Sequence, residues 1–281
     1  MFLSVSKRFA AAAAAVASVL ILDSCSSAPP AAQKGTPAFY WQGARETYAS
    51  GDYLKTVENL DNVVRTENEF TGRARTWLLV LTSGMAKGYI EMADIFEGGA
   101  RINKANPLVF RRQVTNARGA ASRVALRFAE VFAEFQNTKE DPVPLAFPFP
   151  NGSPALPPVL TRIGNGILPQ EADLEAAQKG SISRGVLLAA CQAAGAPGDA
   201  AKAQAMFKAG DAKVPRGQFV LAMAAVLHDS AQLFTRNKLD QPDKLQIFCE
   251  RALETLKGLP ENKDTKDLKA KIEATLKKNK A

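Results

Sequence analysis

From about residue 38 to the carboxyl end, apolar positions recur every three to four residues, and no stretch alternates with a period of two. This pattern predicts an all-α chain. Candidate helices span 38–50, 53–67, 72–97, 106–137, 170–179, 182–195, 199–209, 216–236, 241–258 and 262–279. The clearest pair lies near the carboxyl end. Phe219, Met223, Val226, Leu227, Leu233 and Phe234 share one face, and Leu245, Phe248, Cys249, Ala252, Leu253 and Leu256 repeat it on the next helix. Asp240 is expected to cap that second helix with Pro242 just inside its start, and Gly258 to Pro260 to end it. A short connection between two such helices predicts an antiparallel hairpin.

The periodicity fails between 141 and 169, where Pro142, Pro144, Pro148, Pro150, Pro154, Pro157, Pro158 and Pro169 exclude a continuous helix. Leu145, Phe147, Phe149, Leu156, Val159 and Leu160 make the segment too apolar for a free linker, so it is expected to pack across the helices. The chain thus divides into a helical half at 38–140, a Pro-rich connection at 141–169 and a second helical half at 170–281.

The amino end has a different composition. Lys7 and Arg8 precede an apolar run from Phe9 to Leu22, followed by Asp23, Ser24 and Cys25. The run is shorter than the roughly 20 residues a membrane span needs, so residues 1–24 read as a cleaved signal peptide. Leu22-Asp23-Ser24-Cys25 resembles the lipobox of bacterial lipoproteins, with a leucine three places upstream and a small residue immediately before the cysteine; Asp23 departs from the small or apolar residue usual there. The resemblance implies lipid on Cys25, attachment to a membrane and a body facing the periplasm. Ser26 after the cysteine points to the outer membrane. Residues 25–37 are then the lipidated cysteine and a flexible tether, with nothing to bury.

Two segments share an internal register. Tyr40, Gly43, Ala44, Tyr48, Gly51-Asp52-Tyr53, Thr56, Leu60 and Val63 form the first; Leu187, Cys191, Ala194, Gly198-Asp199-Ala200, Ala203, Phe207 and Pro215 form the second. Both resemble tetratricopeptide repeats. Small residues let paired helices cross closely, glycine permits the turn and aspartate caps the second helix. The resemblance implies antiparallel hairpins stacked as a short α-solenoid with a binding surface for peptides, proteins or, less often, a small ligand.

Charge adds one feature. The chain carries a formal +8; losing residues 1–24 removes two cations and one anion, leaving +7. A basic exported protein meets anionic head groups, cell wall or acidic partners rather than nucleic acid. Segment 101–127 holds Arg101, Lys104, Arg111, Arg112, Arg118, Arg123 and Arg127 and no acid. Opposite the stripe of Phe110, Val114, Ala117, Ala121, Val124 and Phe128, these cations make a basic helix face. Arg112, Arg123 and Arg127 are its candidate binding residues, for phosphate head groups or an acidic partner. The alternative is a solvated face paired with Glu91, Asp94, Glu97 or other acids.

Candidate chemistry is sparse. His228 is the only histidine, which excludes a multi-histidine metal site, and Cys191 and Cys249 lack zinc spacing and either pair or stay as buried thiols. Gly164 and Gly166 do not belong to a phosphate-binding loop. His228 beside Asp229, the pair Glu130 and Glu134, and Trp41 and Trp77 each suggest a site, but packing or solvated surface explains them more simply. No catalytic residue, metal or cofactor is expected. The expected function is a lipid-anchored envelope scaffold binding another envelope protein. The alternative is a periplasmic ligand-binding helper lipoprotein, broadly similar to those of tripartite transporters. A bulky residue in place of Ala44 or Ala203 is predicted to lower the thermal midpoint; unchanged unfolding of both variants would count against the repeat spacing.

Overall fold

The computed structural model describes residues 32–208 and 212–280. The expected signal peptide and Cys25 lie outside the described residues. Within them the chain is all-α: α1 Pro37–Ala49, α2 Tyr53–Val64, α3 Thr71–Ile102, α4 Pro107–Gln136, α5 Pro158–Gly164, α6 Glu171–Ala193, α7 Ala200–Lys208, α8 Arg216–Ala231, α9 Pro242–Lys257 and α10 Lys263–Lys280. A short 3-10 helix, Gln232–Phe234, follows α8. The strands β1 Val143–Pro144 and β2 Lys213–Val214 pair antiparallel. Among the described residues, no helix is long and apolar enough to cross a membrane.

Helix starts follow capping chemistry. Thr36 caps α1 by accepting from Phe39 N, with Pro37 in the first turn. The two Gly-Asp turns have one geometry: Gly51 and Gly198 both take φ of +79°, and Asp52 and Asp199 accept from the backbone N of Lys55 and Lys202 at 3.0 and 2.9 Å. Asp240, expected as a cap, adopts φ +52° instead. The backbone N–H groups of Asp240 and Gln241 close a turn onto Thr235 O and Phe234 O, which brings Gln241 to the capping position.

The architecture centres on α3. Nineteen of its thirty-two residues are buried, without interruption from Thr76 to Ala86, so the helix is covered on all sides rather than along one stripe. Thr82 and Ser83 satisfy their hydroxyls on Leu78 O and Val80 O of the same helix. α4 runs back along α3, with Arg118 against Glu97 at one end and Arg75 against Glu134 at the other. α2, α5, α6, α8 and β1 also touch α3. One contiguous buried cluster includes residues of both helical halves.

α6 crosses α3 backbone to backbone. A Cβ on Gly84 would lie 2.5 Å from Val186 Cα, one on Gly88 2.5 Å from Ser181 O, and one on Gly185 would overlap Gly84 O. Ser181 Oγ donates to Gly88 O at 2.6 Å across the contact. The break expected between 179 and 182 does not occur, because Gly180 and Ser181 sit inside the continuous helix α6, where small residues allow close packing instead of ending it.

The Pro-rich segment lies on the core. Val143, Leu145, Phe147 and Leu160 are buried. Phe147 stacks on Trp77 with ring centroids 5.8 Å apart, and Tyr48 donates its hydroxyl to Pro148 O at 3.0 Å. In the last hairpin, Phe234 of the 3-10 turn packs on Phe248 of α9 at 5.2 Å.

Replacing Gly185 by alanine forces the crossing apart, and is expected to cost about 1–3 kcal/mol in denaturant unfolding, the usual range for overpacking. Gly119→Ala in α4 meets only Arg123 at 3.8 Å. It is expected to be neutral or to stabilise by up to about 1 kcal/mol through helix propensity.

Candidate functional site

α3, α6 and α8 together wall a groove of about 570 Å³. Ile90 and Ile95 of α3, Ala189 of α6 and Val226 of α8 make its apolar sides, and Leu156 of the Pro-rich segment stands at its mouth. Lys87, Glu91, Asp94 and Asp229 supply the polar rim.

One arginine assembles this edge. Arg184 of α6 donates Nε to Pro154 O at 2.6 Å and Nη1 to Glu91 of α3, so the same side chain ties two helices to the Pro-rich segment and sets Leu156 beside them. Lys238 pairs with Asp94 at 2.8 Å and fastens the link after α8 to α3. Two of the three rim acids are therefore neutralised within the protein. Asp229 makes no ion pair among the described residues. Its side chain is solvent-accessible, but the groove walls crowd around it and partly desolvate the carboxylate, which raises its pKa above the ordinary 3.8 against the pull of Lys87, His228 and Lys271.

His228, its neighbour, points elsewhere. Its Nε2 lies 3.0 Å from Thr275 Oγ1 of α10 and 3.3 Å from Gln232 Nε2. Burial lowers the imidazole pKa, with Lys271 adding to the effect and Asp229 opposing it. His228 thus bonds toward α10, while Asp229 lines the groove. Cys191 and Cys249 are separate, buried free thiols. Burial raises both, Cys249 to about 11, which leaves neither as a ready thiolate.

The basic face divides. Arg127 Nη2 lies 2.6 Å from Asp61 Oδ1 and its Nη1 3.2 Å from Glu130, so this residue joins α4 to α2. Arg118 and Arg101 share Glu97, at 2.7 and 3.1 Å. Arg112 and Arg123 are exposed and have no ion pair among the described residues. Of the three acids named as partners, Glu97 takes arginines from this segment while Glu91 and Asp94 are bound by Arg184 and Lys238; Asp61 and Glu130 are the other acids that do so. Glu130 and Glu134 face Arg127 and Arg75, and Trp77 is fully buried with Trp41 packed against it. No group of three or more metal-ligating side chains occurs among the described residues.

The sequence reading missed the groove because its walls come from three distant helices. A signal was present in the spacing of Gly84 with Gly88 and Ser181 with Gly185, four residues apart on each helix, which marks a close helix crossing. No family model, curated protein or solved structure matches the chain.

Because the folded Asp229 carboxyl titrates above its unfolded counterpart, the folded state holds the proton more tightly. Stability falls as pH rises from about 3.8 through the raised value, and the penalty is complete above it. Asp229→Asn is expected to be more stable than wild type at neutral pH and equal to it in strong acid, read by chemical denaturation at both.

Proposed function

We propose that this chain is a lipid-anchored, non-enzymatic scaffold of the cell envelope, held by Cys25 and binding a segment of another envelope protein in the groove of α3, α6 and α8. The observation that carries the reading is the groove itself, walled by three helices distant in sequence, with mainly apolar sides and a charged rim. The matched Gly-Asp turns and the buried small residues Ala44 and Ala203 support a tetratricopeptide-like arrangement. Apolar walls with few charged groups suit the side chains of a partner segment, and rim charges set its orientation.

A small ligand is the second reading. A volume near 570 Å³ falls within the range of about 300–1,000 Å³ typical of small-molecule pockets, and the walls are mainly apolar. This would make the chain a ligand-binding helper of a transporter.

Cross-linking pull-down from intact cells separates the two. Leu156→Glu and Ile95→Glu place charge in the groove at incompletely buried positions. Recovery of a discrete protein by wild type, reduced roughly tenfold or more in both variants, is expected. If no protein is recovered and native mass spectrometry of the purified chain shows a bound small molecule, the transport-helper reading replaces the scaffold.

A further inference from the structure

Nine large apolar side chains are exposed among the described residues, and five of them gather where α3 ends and α4 begins: Ile102, Leu108, Val109, Ile167 and Leu168. Leu108 is 74% exposed and Ile102 60%. None belongs to the buried stripe of α4, which begins at Phe110. Two loops build this tip and are tied together by their own polar groups. Asn103 donates Nδ2 to Gly166 O at 2.9 Å and accepts from Asn106 N through Oδ1 at 2.9 Å. Gly166, at φ +79°, lies so close to Ile102 that a Cβ there would be 2.8 Å from its side chain. The backbone is satisfied internally while the aliphatic side chains point outward.

Cations surround them. Lys104, Arg111 and Arg112 are exposed and carry no ion pair among the described residues, and Arg101 is 75% exposed beside its partner Glu97. Neither 98–129 nor 142–170, the stretches that form the tip, contains an acid. Of the acids nearest in sequence, Glu97 and Asp173 are engaged by Arg118 and Arg162, which leaves Glu171 as the exposed carboxylate next to the tip.

We infer that this tip docks on an anionic lipid surface, inserting Ile102, Leu108 and Ile167 among the acyl chains while Lys104, Arg111 and Arg112 meet phosphate head groups. Exposed aliphatics ringed by cations match the two layers of a lipid surface, an apolar interior beneath a negative plane. A projecting tip of Ile, Leu and Val lacks the aromatic and methionine anchors that protein interfaces favour, and a fluid layer requires no complementary shape. The site shares no residue with the groove proposed above and does not depend on lipid at Cys25.

The test uses the chain from residue 25 onward with Cys25→Ser, which carries no lipid and keeps every described residue. Co-sedimentation is measured with phosphatidylcholine vesicles with and without phosphatidylglycerol, at low and high salt. Wild type is expected to bind the anionic vesicles and to lose binding as salt rises. Each cation near an anionic surface multiplies affinity roughly fivefold. Arg111→Glu with Arg112→Glu should therefore weaken binding roughly twentyfold or more. Leu108→Ser should weaken it roughly tenfold at constant charge, with thermal midpoints of all variants unchanged. Absence of wild-type binding, or binding that both variants retain, overturns the proposal. A photo-cross-linking residue at position 108 should label lipid in intact cells; a discrete protein adduct instead would make the tip a protein interface and the inference wrong.

Discussion

The backbone contact between α3 and α6 is the constraint on which the rest of the structure depends. Helix axes ordinarily stand about 8–10 Å apart because side chains separate them. Here Gly84, Gly88 and Gly185 remove the separating atoms, and Ser181 bridges to Gly88 O. Dispersion is gained over many close atom pairs, and the hydrogen bond is made where no water competes for it. The contact also fixes where the second helical half begins against the first. α8 packs on α6 and on α3, so its position follows, and the groove is the space the three leave beside the crossing.

Charged residues then secure what apolar packing has placed. Arg184, Lys238 and Arg127 each join elements far apart in sequence, and Arg118 ties the consecutive helices α3 and α4. Arg184 serves the groove most directly, since it holds α3, α6 and Pro154 at once. The arginine-rich start of α4 shows the same chemistry put to two uses. Toward α2 and α3 its guanidiniums meet carboxylates, while nearer the tip Arg111 and Arg112 face solvent beside uncovered aliphatic side chains.

Much of this was legible in the sequence where the cause is local. Helical class, the Gly-Asp turns with Asp52 and Asp199 as caps, the stripe of Phe110, Val114, Ala117, Ala121 and Phe128, and the apolar faces around Phe219 and Phe248 all follow from spacing within one or two elements. The failures have non-local causes. The expected gap between 179 and 182 is absent because Gly180 and Ser181 lie within a helix that packs closely on a neighbouring backbone, a gain that outweighs glycine's weak helix propensity. Asp240 read as a cap from composition, but two turn hydrogen bonds placed it one residue too early. Arg127 seemed equivalent to Arg112 and Arg123 on a helical wheel; only the fold brings Asp61 to it. The groove was invisible because no single segment contains more than one of its walls.

α3 carries a further consequence through its length. Trp41 packs on Phe70 and Trp77, so the start of the described chain sits beside the first turns of this helix, while Ile102 closes its last turn. Twenty-five helical positions separate Trp77 from Ile102, about 38 Å at 1.5 Å each. An insertion or deletion of one residue would change that span by only about 1.5 Å, but would turn everything beyond it by about 100° around the axis. The helix therefore sets phase more strictly than reach. Its residue count governs which direction the far loops face relative to the groove.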